Sequence, residues 1–211
     1  MKTTEKRIVV TLMASILLAV TLSFATAARQ ANAENDPNAP NTPQKSITGT
    51  TPEQPLTSIY TDLHKQCRTL QEPTETNLTL LWRCAGVADH KLLLEWDDGA
   101  LTATMVTPRG RKFDIGMSEL FTEHKPYVDL GSKAEWRVKQ EHGTVVPVAL
   151  IVRVDPSIDV FTHEPSFLAV AKITKQQICI TDRIAPGSRE NEEARRAADG
   201  AAYKPCLKAG E

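Results

Sequence analysis

Long apolar runs, glycine-rich loops and closely spaced cysteines are what this sequence has least of. Beyond Glu34 no apolar stretch is long enough to cross a bilayer, which takes about 17–25 residues. No Gly-x-Gly-x-x-Gly and no Gly-Lys-Ser/Thr occurs, so a phosphate-cradling nucleotide loop has no support. No two cysteines stand as Cys-x-x-Cys and no His-Glu-x-x-His is present, so neither a metal site nor a cofactor is expected. Excess positive charge is missing too, with 25 Lys plus Arg against 26 Asp plus Glu. A nucleic-acid partner would want a basic stripe. The densest basic spot, Arg109-Gly110-Arg111-Lys112, follows Pro108 and reads as a solvated hairpin tip.

What is present begins with an address. Lys2, Lys6 and Arg7 precede an apolar block, Ile8 to Ala25, and two small-x-small sites follow, ending at Ala27 and Ala33. That order is the layout of a secretory signal peptide, and cutting before Glu34 fits best because Arg29-Gln30 separates that site from the apolar block. Residues 34–57, rich in Pro, Asn and Thr, have too little apolar surface to offset ordering entropy and read as a disordered linker. Removing residues 1–33 leaves 21 basic and 25 acidic residues, a net charge of −4. Residues 58–207 have the size of one domain. A periplasmic or secreted location follows as the expectation.

Four cysteines, Cys67, Cys84, Cys179 and Cys206, all lie in that domain. In an exported chain an even count suggests disulfides. Three pairings are possible, and the nearest in sequence, Cys67–Cys84 and Cys179–Cys206, is expected.

Seven segments read as strands: Leu78–Cys84, His90–Trp96, Ala100–Val106, Lys133–Lys139, Thr144–Val154, Ser166–Thr174 and Gln177–Ile184. Asp98-Gly99 between apolar runs is a hairpin signal, and Pro147 suggests a bulge or strand edge. Helical turns are expected at Thr61–Cys67 and Ser118–Phe121. Near the C-terminus, Asn191 reads as an N-cap, and Ala194, Ala197, Ala198 and Ala201 recur at helical spacing. Alanines bury little area, so a Cys179–Cys206 bond would help hold this helix on the sheet that carries Cys179. The fold class expected is α+β, one antiparallel sheet of about seven strands with a C-terminal helix packed on it and two disulfides. Whether that sheet is open, a sandwich or a curled half-barrel stays open.

The stretches "IYTDLHKQC", "LLWRCAG", "LGSKAEWRV", "PVALIVRV", "FLAVAKI" and "NEEARRAAD" together resemble a family of exported four-cysteine proteins of alphaproteobacteria. The resemblance spans nearly all of Ser58 to Cys206. It implies export, two disulfides and a β-rich domain, and it carries no established activity or catalytic residues.

Reactive constellations are weak. Of the five histidines, His64, His90, His124, His142 and His163, three sit beside a glutamate, but neighbours on a strand point to opposite faces. Gly116-Met117-Ser118 begins like a nucleophile elbow without its second glycine, so Ser118 reads as a cap rather than a nucleophile. Glu135, Arg137 and Arg153 are the candidate binding residues, an exposed set able to grip a partner. The blander alternative is a solvated face with Trp136 beneath in the core, since surface pairs contribute only about 0–1 kcal/mol. The function expected is a non-enzymatic, exported binding domain, with no catalytic residue. Its partner is unknown, an envelope or extracellular protein being the class that export leaves. The alternatives are an inhibitor of a secreted hydrolase, similar to bacterial lysozyme inhibitors, and a hydrolase using Ser118.

Overall fold

The computed structural model describes residues 55–97, 100–121, 127–157 and 165–208. The signal-peptide and most of the linker readings, the Asp98-Gly99 turn, His124 and His163 lie outside them. All the described residues belong to one compact unit, Gly49–Glu211.

Among the described residues ten strands form two antiparallel sheets rather than one. The first sheet is built from β2 (Cys67–Gln71), β3 (Leu80–Ala85), β4 (Lys91–Asp97), β5 (Ala100–Val106) and β6 (Lys112–Asp114), side by side in chain order. The second orders β1 (Thr57–Asp62), β7 (Tyr127–Glu141), β8 (Thr144–Ser157), β9 (Phe167–Ile173) and β10 (Ile178–Ile184). A helix, α1 (Glu190–Asp199), and a 3-10 turn, Ala201–Tyr203, follow.

The expected single sheet is thus corrected by three short strands. β1 and β2 look polar in sequence, and the helical turn expected at Thr61–Cys67 shrinks to a tight reversal between them. Asp62 Oδ1 accepts the amides of His64 and Lys65, and the Asp62 carbonyl accepts the Gln66 amide at 2.8 Å. A side chain that satisfies its own following amides stabilises a turn, not a helix.

Leu92, Leu94, Ala103 and Met105 of the first sheet bury themselves in one core with Trp136, Val138, Leu150, Val152, Val154 and Phe167 of the second. The second sheet also buries its other face. There Ala149, Ile151, Leu168 and Val170 meet Ala194, Ala198 and Ala201. All seven residues of β9 are buried, which is why "FLAVAKI" shows no polar alternation. The architecture is sheet, sheet, helix in three layers. The helix lies on the sheet that contains Cys179, as the expected Cys179–Cys206 bond implied.

Register carries several expectations through. Asp97 faces Ala100 across the Asp98-Gly99 link. Beside Pro147 the β7–β8 register shifts, with Arg137 facing Ala149 and Val138 facing Pro147. Proline cannot donate to a ladder, so a bulge there costs little. His142 and Gly143 both adopt positive φ, 51° and 76°, the primed turn that suits a two-residue hairpin. In β10 one extra residue, Thr181, lies between the Ile180–Ala171 and Asp182–Val170 pairs. That insertion turns Asp182 from the core side to the helix side. Two capping expectations fail. Arg189 stands at the cap of α1 without a capping hydrogen bond, and Gly116, with φ 82°, holds that place before Met117–Leu120, leaving Ser118 inside the turn.

Both disulfides are Cys67–Cys84 and Cys179–Cys206. The first joins register partners on β2 and β3. The second ties the tail after α1 back to β10. Three buried alanine methyls contribute only about 2–3 kcal/mol, so this bond matters for the third layer. Replacing Cys179 and Cys206 together by Ser, which opens a loop of sequence separation 27, should lower the unfolding free energy by about 3–4 kcal/mol. Urea titration at matched pH measures it; a loss within error of zero would mean that the helix docks without its staple.

Candidate functional site

Glu135, Arg137 and Arg153 all lie on the helix-facing side of the second sheet, so the expectation of an exposed gripping face is corrected. Glu135 and Arg137 are only 8% and 7% exposed. Arg137 reaches α1 through a two-point ion pair, Nε to Asp199 Oδ1 at 2.8 Å and Nη2 to Oδ2 at 3.1 Å. It also donates to Ser58 Oγ at 2.7 Å and to the Leu56 carbonyl at 3.0 Å. Ser58 donates in turn to Glu135 Oε1 at 2.5 Å. Arg195 of α1 grips both Glu135 oxygens, at 2.7 and 3.2 Å, and donates to the Tyr60 hydroxyl. The polar network therefore runs from helix to sheet and back to helix, through edge strand β1.

Arg153 stands apart from this network. Register places it opposite the bulged stretch between Leu130 and Ala134, and it pairs with Glu190 at the start of α1. A Cβ at Gly131 would come within 2.8 Å of Arg153 Cβ, so the glycine makes room for that arginine. At the other end Lys204 pairs with Asp182 at 2.5 Å and Lys172 donates to the Lys204 carbonyl at 2.7 Å. These charged groups hold the protein's own third layer.

Burial pushes the Glu135 carboxyl upward, but the Arg195 guanidinium and the Ser58 hydroxyl outweigh it and hold Glu135 below its ordinary 4.5. Chiefly through its hydrogen bond from Arg153, Glu190 is lowered as well. Arg195 is raised, first by its hydrogen bond to Glu135.

The histidines scatter. His90 packs against Trp136 with ring centroids 6.5 Å apart and its Nδ1 faces the Val87 carbonyl at 3.0 Å. His142 sits in the β7–β8 turn. Ser118 is exposed, and among the described residues no hydrogen bond joins it to a histidine. Among the described residues no group of three metal-binding side chains comes together.

Among the described residues an open pocket lies between the first sheet and β7. Its volume is about 460 Å³, within the small-molecule range, and its walls include Trp82, Trp96, Leu94 and Leu101 from the first sheet and Val128 and Leu130 from β7. His64, Thr69 and Asp129 supply its polar groups. Trp82 pairs with Leu94, and Leu80 with Trp96, so the two indoles are diagonal neighbours on one sheet face. The bulge in β7 separates Val128–Leu130, which line the pocket, from Glu135 and Arg137, which serve the helix. Sequence reading missed this site. Its signal was in the Asp98-Gly99 hairpin, whose register puts Trp96 opposite Leu101 and hence on the face of Leu94.

No family model, curated protein or solved structure matches this chain.

Two predictions follow from the helix network. Arg137→Ala should destabilise the fold by about 2 kcal/mol, since it strips four acceptors and leaves Asp199 to rehydrate; chemical denaturation measures it, and a change below about 0.5 kcal/mol would contradict the network's role. A carboxylate with a depressed folded pKa contributes stability above its unfolded pKa and loses it as pH falls through the folded one. Wild-type melting temperature should therefore fall as pH drops below about 4.5, and Glu135→Gln should fall less steeply there while starting lower at neutral pH. Equal slopes would show that Glu135 plays no part in the acid response.

Proposed function

We propose that this chain is an exported, non-enzymatic binding domain of the periplasm or the cell exterior, and that its ligand occupies the Trp82–Trp96 pocket. The observation that carries the reading is this pocket itself: an open, mostly apolar hollow walled by two tryptophans. Burying an indole normally stabilises a fold, so two partly buried ones lining an open hollow suit a binding surface. Glu135, Arg137 and Arg153 are engaged with α1, which leaves the pocket as the better-suited site. Export rests on the basic start, the apolar block and the small-x-small sites, and two disulfides are consistent with an oxidising, extracytoplasmic environment.

The ligand is small and largely uncharged, with a flat or apolar face against the indoles and one or two polar groups toward His64, Thr69 or Asp129. Among the described residues no helix is long and apolar enough to cross a membrane, and no nucleic-acid partner is called for. Neither hydrolase inhibition nor a Ser118 hydrolase has a specific observation in its favour.

A neutral dye, N-phenyl-1-naphthylamine, tests the pocket. The folded, oxidised protein should bind one dye with energy transfer from tryptophan. Trp96→Ala and Leu101→Arg should each weaken binding about tenfold or more while circular dichroism stays native. Dye that ignores the folded protein, or binds both variants as well as wild type, would rule the pocket out.

A further inference from the structure

The outer face of the first sheet carries a different feature. Arg68 on β2 and Arg83 on β3 are register partners, and they point away from the core that their neighbours Thr69, Trp82 and Cys84 face. Like charges directly opposite on a sheet repel and destabilise it. Among the described residues neither guanidinium is paired with a carboxylate. Lys91 and Lys65 add two more cations around the same shallow hollow, of about 360 Å³. Lys65 has one long contact, 3.8 Å to Asp62, and is itself largely exposed. Acidic residues are not far off, Glu95 lying one row further along β4, but it forms no ion pair with either arginine.

The disulfide explains how the two arginines stay together. Cys67 and Cys84 are bonded register partners, one residue from Arg68 and one from Arg83. The covalent link clamps the two strands beside the repelling pair, so the guanidiniums cannot splay apart by fraying of the edge strand. Two planar donors rooted side by side on covalently linked strands can converge on one tetrahedral oxyanion, which each can meet through paired N–H groups.

We propose that Arg68 and Arg83, with Lys65 and Lys91, form an oxyanion site for a phosphate group on the outer face of the first sheet. The group is a phosphate ester or free phosphate, and it relieves the cross-strand repulsion when it binds. This site is independent of the tryptophan pocket, which lies on the opposite face of β2.

Thermal unfolding of the oxidised protein tests it, with pyrophosphate as the probe and ionic strength matched by sodium chloride. About 10 mM pyrophosphate should raise the melting temperature by about 3 °C over the chloride control. Arg68→Gln and Arg83→Gln should abolish that rise. Each should also melt higher than wild type without the anion, a gain that loss of an ordinary surface arginine would not give. Sedimentation with phosphatidylglycerol vesicles, against phosphatidylcholine vesicles, tells the source: arginine-dependent binding to the former assigns the phosphate to a lipid headgroup, while a pyrophosphate response alone assigns a soluble ester. No response to pyrophosphate together with no anionic-vesicle binding would overturn the site. So would a rise that persists in the Arg68→Gln/Arg83→Gln double variant, which would move it elsewhere, such as the Arg109–Lys112 tip.

Discussion

Burial of the second sheet on both faces is the constraint around which this molecule is arranged. Its inner face shares a core with the first sheet, and its outer face, apolar through Ala149, Ile151, Leu168 and Val170, needs a cover. The cover is α1, with Ala194 and Ala198 as its buried face, continued by Ala201 of the 3-10 turn. Small side chains let it lie close but contribute little burial, so polar restraints surround them: Arg195 to Glu135, Arg137 to Asp199, Arg153 to Glu190, and Lys204 to Asp182. A covalent bond to β10 completes the attachment. Half-buried ion pairs gain little unless their remaining hydrogen bonds are met. Ser58, Tyr60 and the Leu56 carbonyl meet them here, and in doing so bind edge strand β1 into the same structure.

That arrangement shapes the functional reading. Charged groups that looked free in sequence are committed to the fold, so they are poor candidates for gripping a partner. Among the described residues, what remains open is the pocket between the first sheet and β7 and the outer face of the first sheet. One is apolar with a polar rim; the other is cationic and nearly flat. The two surfaces suit different chemistries, and only β2 with its disulfide lies between them.

Much of the fold was legible beforehand, and the reasons differ by element. The seven apolar strands, the Asp98-Gly99 hairpin and the alanine helix each carry a local period or turn residue. The pairing of the cysteines followed from proximity along the chain. The division into two sheets was hidden because β1, β2 and β6 are short and polar, with their stability coming from neighbours rather than from their own pattern. Glu135 and Arg137 alternate with Ala134 and Trp136 as exposed residues would, and only the presence of a third layer turns their face inward. The tryptophan pocket needed the register of three strands together, which no single stretch contains. In β10 the extra residue Thr181 reverses the face that strict alternation would assign to Asp182.

Hydrogen exchange of the oxidised protein tests the central claim, that the chain's own helix permanently closes the outer face of the second sheet. The amides of α1 and those of β8 and β9 beneath it should exchange through one cooperative opening, with a common free energy. Helix amides that exchange rapidly while the sheet stays protected would contradict the account, because the third layer would then be a loose appendage and the face beneath it available to a partner.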